Sequence, residues 1–173
     1  SCVAASVVWI PAFLVNGVGF TQIEAGWILV VPAAVQIVLI PGIAAGSQRL
    51  MARGWSSRMA RAVLSGVGLI LSGALMMALP FVPRAIVAPM RGLSLSLVSL
   101  IFVIGPVMVG EMVPAEKRGA MLGMTNGIHT LAGIVAPFVM GLAIGSIADP
   151  FEGYRLAIIL LGSWITLGGL IAV

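Results

Sequence analysis

Long apolar runs alternate with short polar connections along the chain, and this pattern predicts six membrane helices. The runs cover roughly residues 1–15, 26–46, 60–80, 88–110, 119–145 and 155–173. After the short first run, each run holds about 20 residues or more, which is the length that an α-helix needs to cross a bilayer. The sequence therefore predicts an all-α membrane protein, organised as a single six-helix domain over residues 1–173. Both ends lie inside apolar runs, so we expect an internal fragment of a longer protein.

Composition agrees with the membrane class and excludes several others. The chain is 61% hydrophobic and 8% charged, whereas soluble domains carry about 25% charged residues. Basic patches with interleaved aromatic residues are absent, so nucleic acid is not an expected partner. The single histidine and single cysteine cannot supply the ligands of a zinc site, and we expect neither a metal nor another cofactor. The expected surroundings are a lipid bilayer.

The distribution of cations between the runs predicts an orientation. Of the nine Lys and Arg residues, six lie around the connections 47–59 and 111–118, namely Arg49, Arg53, Arg58, Arg61, Lys117 and Arg118. By the positive-inside rule these two connections are cytoplasmic. Arg91 falls on the other side, where we expect its side chain to reach the outer interface. Trp27 and Tyr154 are expected in the outer aromatic belt.

Five motifs follow one another along the chain: Trp9-Ile-Pro-Ala-Phe-Leu14, Phe20–Trp27, the basic segment from Pro41 to Arg49 with the arginines that follow, Glu111 with Arg118-Gly119, and Gly119–Gly141. In their order and spacing these motifs resemble the C-terminal half of a major facilitator superfamily transporter. The resemblance covers essentially the whole chain and is closest to the anion:cation symporter branch. It implies helices seven to twelve of such a transporter, with an N-terminal six-helix half that this chain does not contain.

The resemblance also implies a function and a location. The expected function is transport of a small organic anion, such as a sugar acid, coupled to protons and working by alternating access. The expected location is the bacterial inner membrane. Gln48 stands where the superfamily usually has an acidic residue, and Ala44 where it usually has a glycine. A gate that depends on that acid is therefore weakened or replaced here.

The fifth run provides the main candidates for a substrate cavity. At about 100° per residue, Asn126, Thr130 and Pro137 fall within an arc of about 80° together with four glycines, Gly119, Gly123, Gly133 and Gly141, and His129 lies at the edge. Asn126, His129 and Thr130 could line a cavity, where His129 could relay a proton. Alternatively, the glycines serve helix packing while Asn126 and Thr130 bond to a neighbouring helix.

Other polar or aromatic residues within the runs allow two interpretations. Gln36 could contact substrate, or it could hydrogen-bond to another helix, because an unpaired amide is costly in hydrocarbon. Trp9 could stack on a substrate or serve packing. Ser94, Ser96 and Ser99 are expected to bond mainly to carbonyl groups of their own helix.

Charges beside the cytoplasmic connections predict an inner gate. Glu111 and Arg118, with Arg49 and Arg58, could pair when the substrate site faces outward and separate when it faces inward. In particular, we expect Glu111 to lie within ion-pair distance of an arginine in 49–61 or of Arg118. The alternative is that these charges are solvated and only set the topology.

Two other functions are weighed against transport. An intramembrane enzyme would need a nucleophile on a glycine-rich helix start beside a histidine, and the segment from Gly92 to Ser96 lacks the following glycine. A channel would need a filter-like loop or a ring of charges, and neither is visible. The sequence therefore favours a carrier and predicts no catalytic residues.

Overall fold

The protein is a bundle of α-helices. The computed structural model describes residues 8–172, apart from the side chains at positions 17, 58 and 150. A short first helix, α1 (residues 8–17), ends in a wide π turn over Phe13–Gly17. Five long helices follow: α2 (Gln22–Ala52), α3 (Ser57–Ala78), α4 (Arg84–Met112), α5 (Ala115–Gly145) and α6 (Pro150–Ala172), with a 3-10 turn at Leu79–Phe81.

These elements confirm the predicted all-α class. The described residues contain no β-strand, and five of their helices are long and apolar enough to cross a membrane. These five helices correspond to the second to sixth predicted runs. The first predicted run, 1–15, lies partly outside the described residues.

The helices extend beyond the apolar runs, so the predicted loops are wrong in extent. Most residues of 47–59 and of 111–118 are helical, and only Val113 and Pro114 separate α4 from α5. Hydropathy marks only the apolar stretch, whereas a helix continues until its backbone groups are capped. Ser56 provides such a cap for α3, because its hydroxyl accepts a hydrogen bond from the Met59 N–H group.

The best-covered part of the bundle lies around α3, α4 and α6, with α1 packed against it. Side chains from all four helices are almost completely buried there: Ile10, Phe13, Leu14, Met76, Val87 and Ile158. In the most apolar stretches of α3, α4 and α6, 33–39% of the residues are buried, against 11% in α2 and 6% in α5. Helices α2 and α5 are therefore the exposed members of the described bundle.

Glycines bring α3 and α6 together backbone to backbone. A Cβ atom built on Gly169 would lie 2.8 Å from the carbonyl oxygen of Gly66, and one built on Gly162 would lie 2.8 Å from that of Gly73. In each helix the two glycines are seven residues apart, which is about two turns, so they lie on one face. Such small-residue faces are typical of helix pairs in membranes, where close van der Waals packing drives association.

Buried serines join α4 to two of its neighbours. The Ser72 hydroxyl donates to the Ser94 carbonyl at 2.7 Å, and the Ser94 hydroxyl donates to the Ser72 carbonyl at 3.0 Å, so α3 and α4 exchange bonds. Ser96 donates to Pro32 of α2 at 3.1 Å and to Gly92 of its own helix at 2.7 Å. The expectation of bonding within the helix is confirmed for Ser96 and is wrong for Ser94.

Candidate functional site

Helix α5 carries the polar face that its sequence predicts, and this face is open. Asn126 and Thr130 are exposed, and no atom lies within 4 Å of a Cβ built on Gly123. The Thr130 hydroxyl donates to the Asn126 carbonyl of the same helix at 2.9 Å. The opposite face is also uncovered, with Phe138 68% exposed. The polar face can therefore receive a ligand or another helix, and its placement at a cleft stays a prediction.

His129 lies at the edge of this face and contacts α4. Its ring is half-buried and meets the Phe102 ring edge to face, with 5.2 Å between centroids and 63° between planes. This contact restricts the imidazole orientation without occupying either nitrogen. Phe102 is a partner that sequence reasoning missed, because it lies on another helix at no fixed spacing from His129.

Trp9 is held by α5 and α6. Its indole N–H group donates to the Pro137 carbonyl at 2.9 Å, and a Cβ atom built on Gly141 would lie 3.1 Å from the indole ring. The Tyr154 ring lies 6.5 Å from the Trp9 ring, between centroids. These contacts favour the packing interpretation of Trp9. Tyr154 is half-buried against it, whereas Trp27 is 70% exposed, and the placement of both residues in an aromatic belt stays a prediction.

Gln36 links α2 to α4. Its amide nitrogen donates to the Ser99 hydroxyl at 3.2 Å, and this hydroxyl donates in turn to the Leu95 carbonyl at 2.8 Å. Gln36 thus has a specific hydrogen-bond partner on another helix, Ser99, as the interhelical interpretation requires. The bond from Ser99 to its own helix confirms the expectation for that serine. A contact between Gln36 and substrate stays a prediction.

A charged cluster at one end of the bundle contains the predicted partner of Glu111. The guanidinium of Arg61, near the start of α3, forms an ion pair with the Glu111 carboxylate at the end of α4. The Ser57 hydroxyl also donates to this carboxylate, at 3.0 Å from its Oε2 atom. The expected ion pair is therefore confirmed, and it also shows that the 47–59 and 111–118 segments meet at one end of the bundle.

Two of the other gate candidates, Arg118 and Arg49, take no part in this ion pair. Arg118 instead donates from Nε to the Val113 carbonyl at 3.0 Å, which ties the start of α5 to the preceding turn. Arg49 is exposed on the last turn of α2, where a cation complements the helix dipole. The side chain of Arg58 lies outside the described part of the chain.

A second ion pair, at the opposite end of the bundle, was missed from the sequence. The Arg84 guanidinium of α4 lies 2.7 Å from the Glu24 carboxylate of α2 and 4.2 Å from the centroid of the Phe20 ring. Glu24 also forms a capping box with Thr21. The Thr21-Gln-Ile-Glu24 pattern is a recognisable signal for that cap, but nothing in the sequence indicates the pairing with Arg84.

Arg91 does not reach an interface, so the expectation for this residue is wrong. It is only 2% exposed, and its Nε atom has no hydrogen-bond partner among the described residues. The inward face of α4 that carries Arg91 also carries Val87, Ser94 and Val98, all of them buried. The hydropathy pattern placed Arg91 near a helix end, but the direction of its side chain depends on how α4 packs.

Together these features define the class of the protein. It is an all-α protein with several helices suited to cross a membrane, polar side chains on an uncovered helix, and an ion pair at each end of the bundle. Comparison with protein-family models and with curated proteins finds no match to the chain.

The ion pair between Arg61 and Glu111 leads to a first prediction. Glu111→Gln and Arg61→Gln should each lower the thermal unfolding midpoint slightly, by a few degrees at most, because both groups are partly solvated. The double variant should lose less than the sum of the two single losses. Thermal unfolding of the detergent-solubilised protein would measure this coupling.

Glu116→Gln is a suitable control for this experiment, because Glu116 is exposed on the neighbouring helix and pairs with no described arginine or lysine. It should leave the midpoint unchanged and should not couple to Arg61→Gln. Strictly additive losses for Glu111→Gln and Arg61→Gln would show that the two side chains do not interact in solution.

Proposed function

We propose that the chain forms the C-terminal half of a major facilitator type transporter, which moves a small organic anion together with protons. The observation that carries this proposal is the polar face of α5 on a helix with a single buried residue, Met140. A polar side chain such as Asn126 is costly against lipid, so a further layer of protein or water is expected on this face. The missing N-terminal six-helix half would supply that layer.

The uneven coverage of the helices supports a two-half arrangement. The exposed helices α2 and α5 both carry polar groups in their apolar stretches, Gln36 on α2 and Asn126 on α5. In such transporters the substrate site lies near the midplane, between two halves that rock against each other. In the proposed transporter α2 and α5 face this cleft, while α3 and α6 pack closely behind them.

Roles for individual residues follow from this arrangement. Asn126 and Gln36 offer amide N–H donors to an organic anion, Thr130 joins them once its hydroxyl releases the Asn126 carbonyl, and His129 relays the proton. The ion pair between Arg61 and Glu111 holds the cytoplasmic end closed when the site faces outward. This ion pair then separates when the site opens inward. Further cations lie near it, because this end is the positively charged, cytoplasmic side.

Uptake by proteoliposomes containing the full-length protein would test the proposed function. Labelled sugar acids should accumulate against their gradient when the vesicle exterior is made acidic, and accumulation should stop when a protonophore is added. A channel would only equilibrate the label, and an enzyme would change it chemically. Failure of a broad panel of organic anions to accumulate under a proton gradient would contradict the proposal.

The role of His129 gives a second prediction. An imidazole can take up and release a proton near neutral pH, whereas glutamine keeps hydrogen-bonding capacity without this exchange. His129→Gln should therefore remove most of the pH dependence of uptake and retain measurable substrate binding. The measurement is the initial rate of uptake at a series of external pH values.

Phe102→Leu provides the matched control, because it removes the aromatic contact with His129 but keeps the imidazole. It should lower the uptake rate modestly while leaving the shape of the pH profile intact. An unchanged pH profile in His129→Gln, together with reduced thermal stability, would assign His129 to packing and contradict its role as a proton relay.

A further inference from the structure

A cavity lies between α2 and α4 at the end of the bundle where Arg61 pairs with Glu111. Its volume is about 210 Å³. Most of its wall is apolar, with Ile40 and Ile43 on α2 and Leu100 and Ile104 on α4. A polar end completes the wall and contains Ser47, Gln48 and Arg61. The cavity thus combines an apolar wall with a polar end, as expected of a site for an amphiphilic molecule.

Ser47 is the unusual residue in this wall. It is only 8% exposed, and its Oγ atom has no hydrogen-bond partner among the described residues. Most buried hydroxyl groups on membrane helices bond back to their own helix or to a neighbouring one, as Ser65, Ser94 and Ser96 do here. The Ser47 hydroxyl is shielded in its present orientation, and a change of its χ1 rotamer would direct it to a ligand in the cavity.

Arg61 gives the polar end a positive charge. Its guanidinium has five N–H donors, and among the described residues only Nη1 is engaged, with Glu111. The other donors remain available, and none of the residues that line the cavity is acidic. Glu111 is the one carboxylate that contacts Arg61 in the described structure, so it would compete with an incoming anion.

We propose that this cavity binds an anionic amphiphile through its head group and one apolar chain. Its carboxylate or phosphate head accepts hydrogen bonds from Arg61 and Ser47, while its chain lies along Ile40, Ile43 and Ile104. Because Arg61 is positively charged, charge-assisted hydrogen bonds favour an anionic head over a neutral one. The site is distinct from the polar face of α5, and binding here does not depend on transport activity.

Binding of octanoate to the full-length protein in phosphatidylcholine nanodiscs would test the proposal, with octanol as the uncharged comparison. Octanoate should bind at least about tenfold more tightly than octanol, because a hydrogen bond to a charged group contributes much more than one to a neutral group. Ser47→Ala should weaken octanoate binding about three- to tenfold. Native mass spectrometry or isothermal titration would measure the two affinities.

Two further variants locate the site. Ala44→Leu places a larger side chain in the cavity wall and should abolish octanoate binding, while Ala120→Leu, at an exposed position on α5, should leave it unchanged. Glu111→Gln removes the competing carboxylate and should tighten binding a few-fold. Equal binding of octanol and octanoate, or full octanoate binding by Ala44→Leu, would overturn the proposal.

The source of the anionic head can be found by changing the bilayer. If replacing phosphatidylcholine with phosphatidylglycerol displaces octanoate, the membrane lipid supplies the head in the native setting. If octanoate binds equally in both bilayers, the ligand is a single-chain acid. Both results support recognition of an anionic amphiphile in this cavity. Ala44→Leu should not bind octanoate in either bilayer, so no displacement should be observed with this variant.

Discussion

Gly169→Ala should destabilise the protein by about 1–3 kcal/mol, because overpacking a tight interface costs that much or more. The added methyl group would lie 2.8 Å from the Gly66 carbonyl oxygen and 2.8 Å from the Ile70 backbone nitrogen. Backbone atoms cannot turn away as a flexible side chain can, so α3 and α6 would have to separate. Thermal unfolding in detergent would show the loss as a lower midpoint.

The neighbouring residue provides a matched control for Gly169→Ala. Gly168 lies on the same helix, but no atom is within 4 Å of a Cβ built there. Gly168→Ala should leave stability unchanged or raise it by up to about 1 kcal/mol, because alanine favours the helix over glycine. Similar midpoints for the two alanine variants would show that α3 and α6 do not approach as closely as described.

Arg91→Met should stabilise the protein by about 1–4 kcal/mol. Replacing even a buried ion pair by apolar residues of similar volume is often stabilising by this amount, and Arg91 has no ion-pair partner among the described residues. All five acidic residues of the chain are among those described. A carboxylate partner for Arg91 would therefore have to come from outside the 173 residues.

The stability of Arg91→Met should be measured in the full-length protein, with Arg84→Met as its control. Arg84 is exposed and paired with Glu24, so its replacement should leave the midpoint unchanged or slightly lower. If Arg91→Met instead lowers the midpoint of the full-length protein, the guanidinium has a stabilising partner outside this chain. That result would contradict the conclusion that the Arg91 charge is buried without a partner.

Much of the candidate site depends on pairings that no local pattern contains. Glu111 was expected to meet an arginine of the 49–61 segment, because a carboxylate at a helix end beside a basic segment is a local signal. The structure selects Arg61, which stands where α3 begins beside the end of α4. The partners of Gln36 and His129 lie 63 and 27 residues away along the chain, so only the packing of α4 identifies them.

Arg91 shows most clearly where sequence reasoning fails. Its distance along α4 from a helix end suggested that the side chain could extend to the outer interface. The structure buries it instead, because Arg91 lies on the face of α4 that is directed to the interior of the bundle. Helical arithmetic gives the angle between two residues of one helix, but not the direction in which that helix faces its neighbours.

The sequence by itself determined the helical class and the approximate positions of the five long helices. Apolar stretches of this length can satisfy their backbone hydrogen bonds in a membrane only within a helix or a closed barrel, and their continuous hydrophobicity favours the helix. Only the tertiary structure decided which helices pack closely and which stay uncovered. That outcome depends on contacts between distant residues, such as Gly66 with Gly169 and Ser72 with Ser94, whose energies arise only after the helices associate.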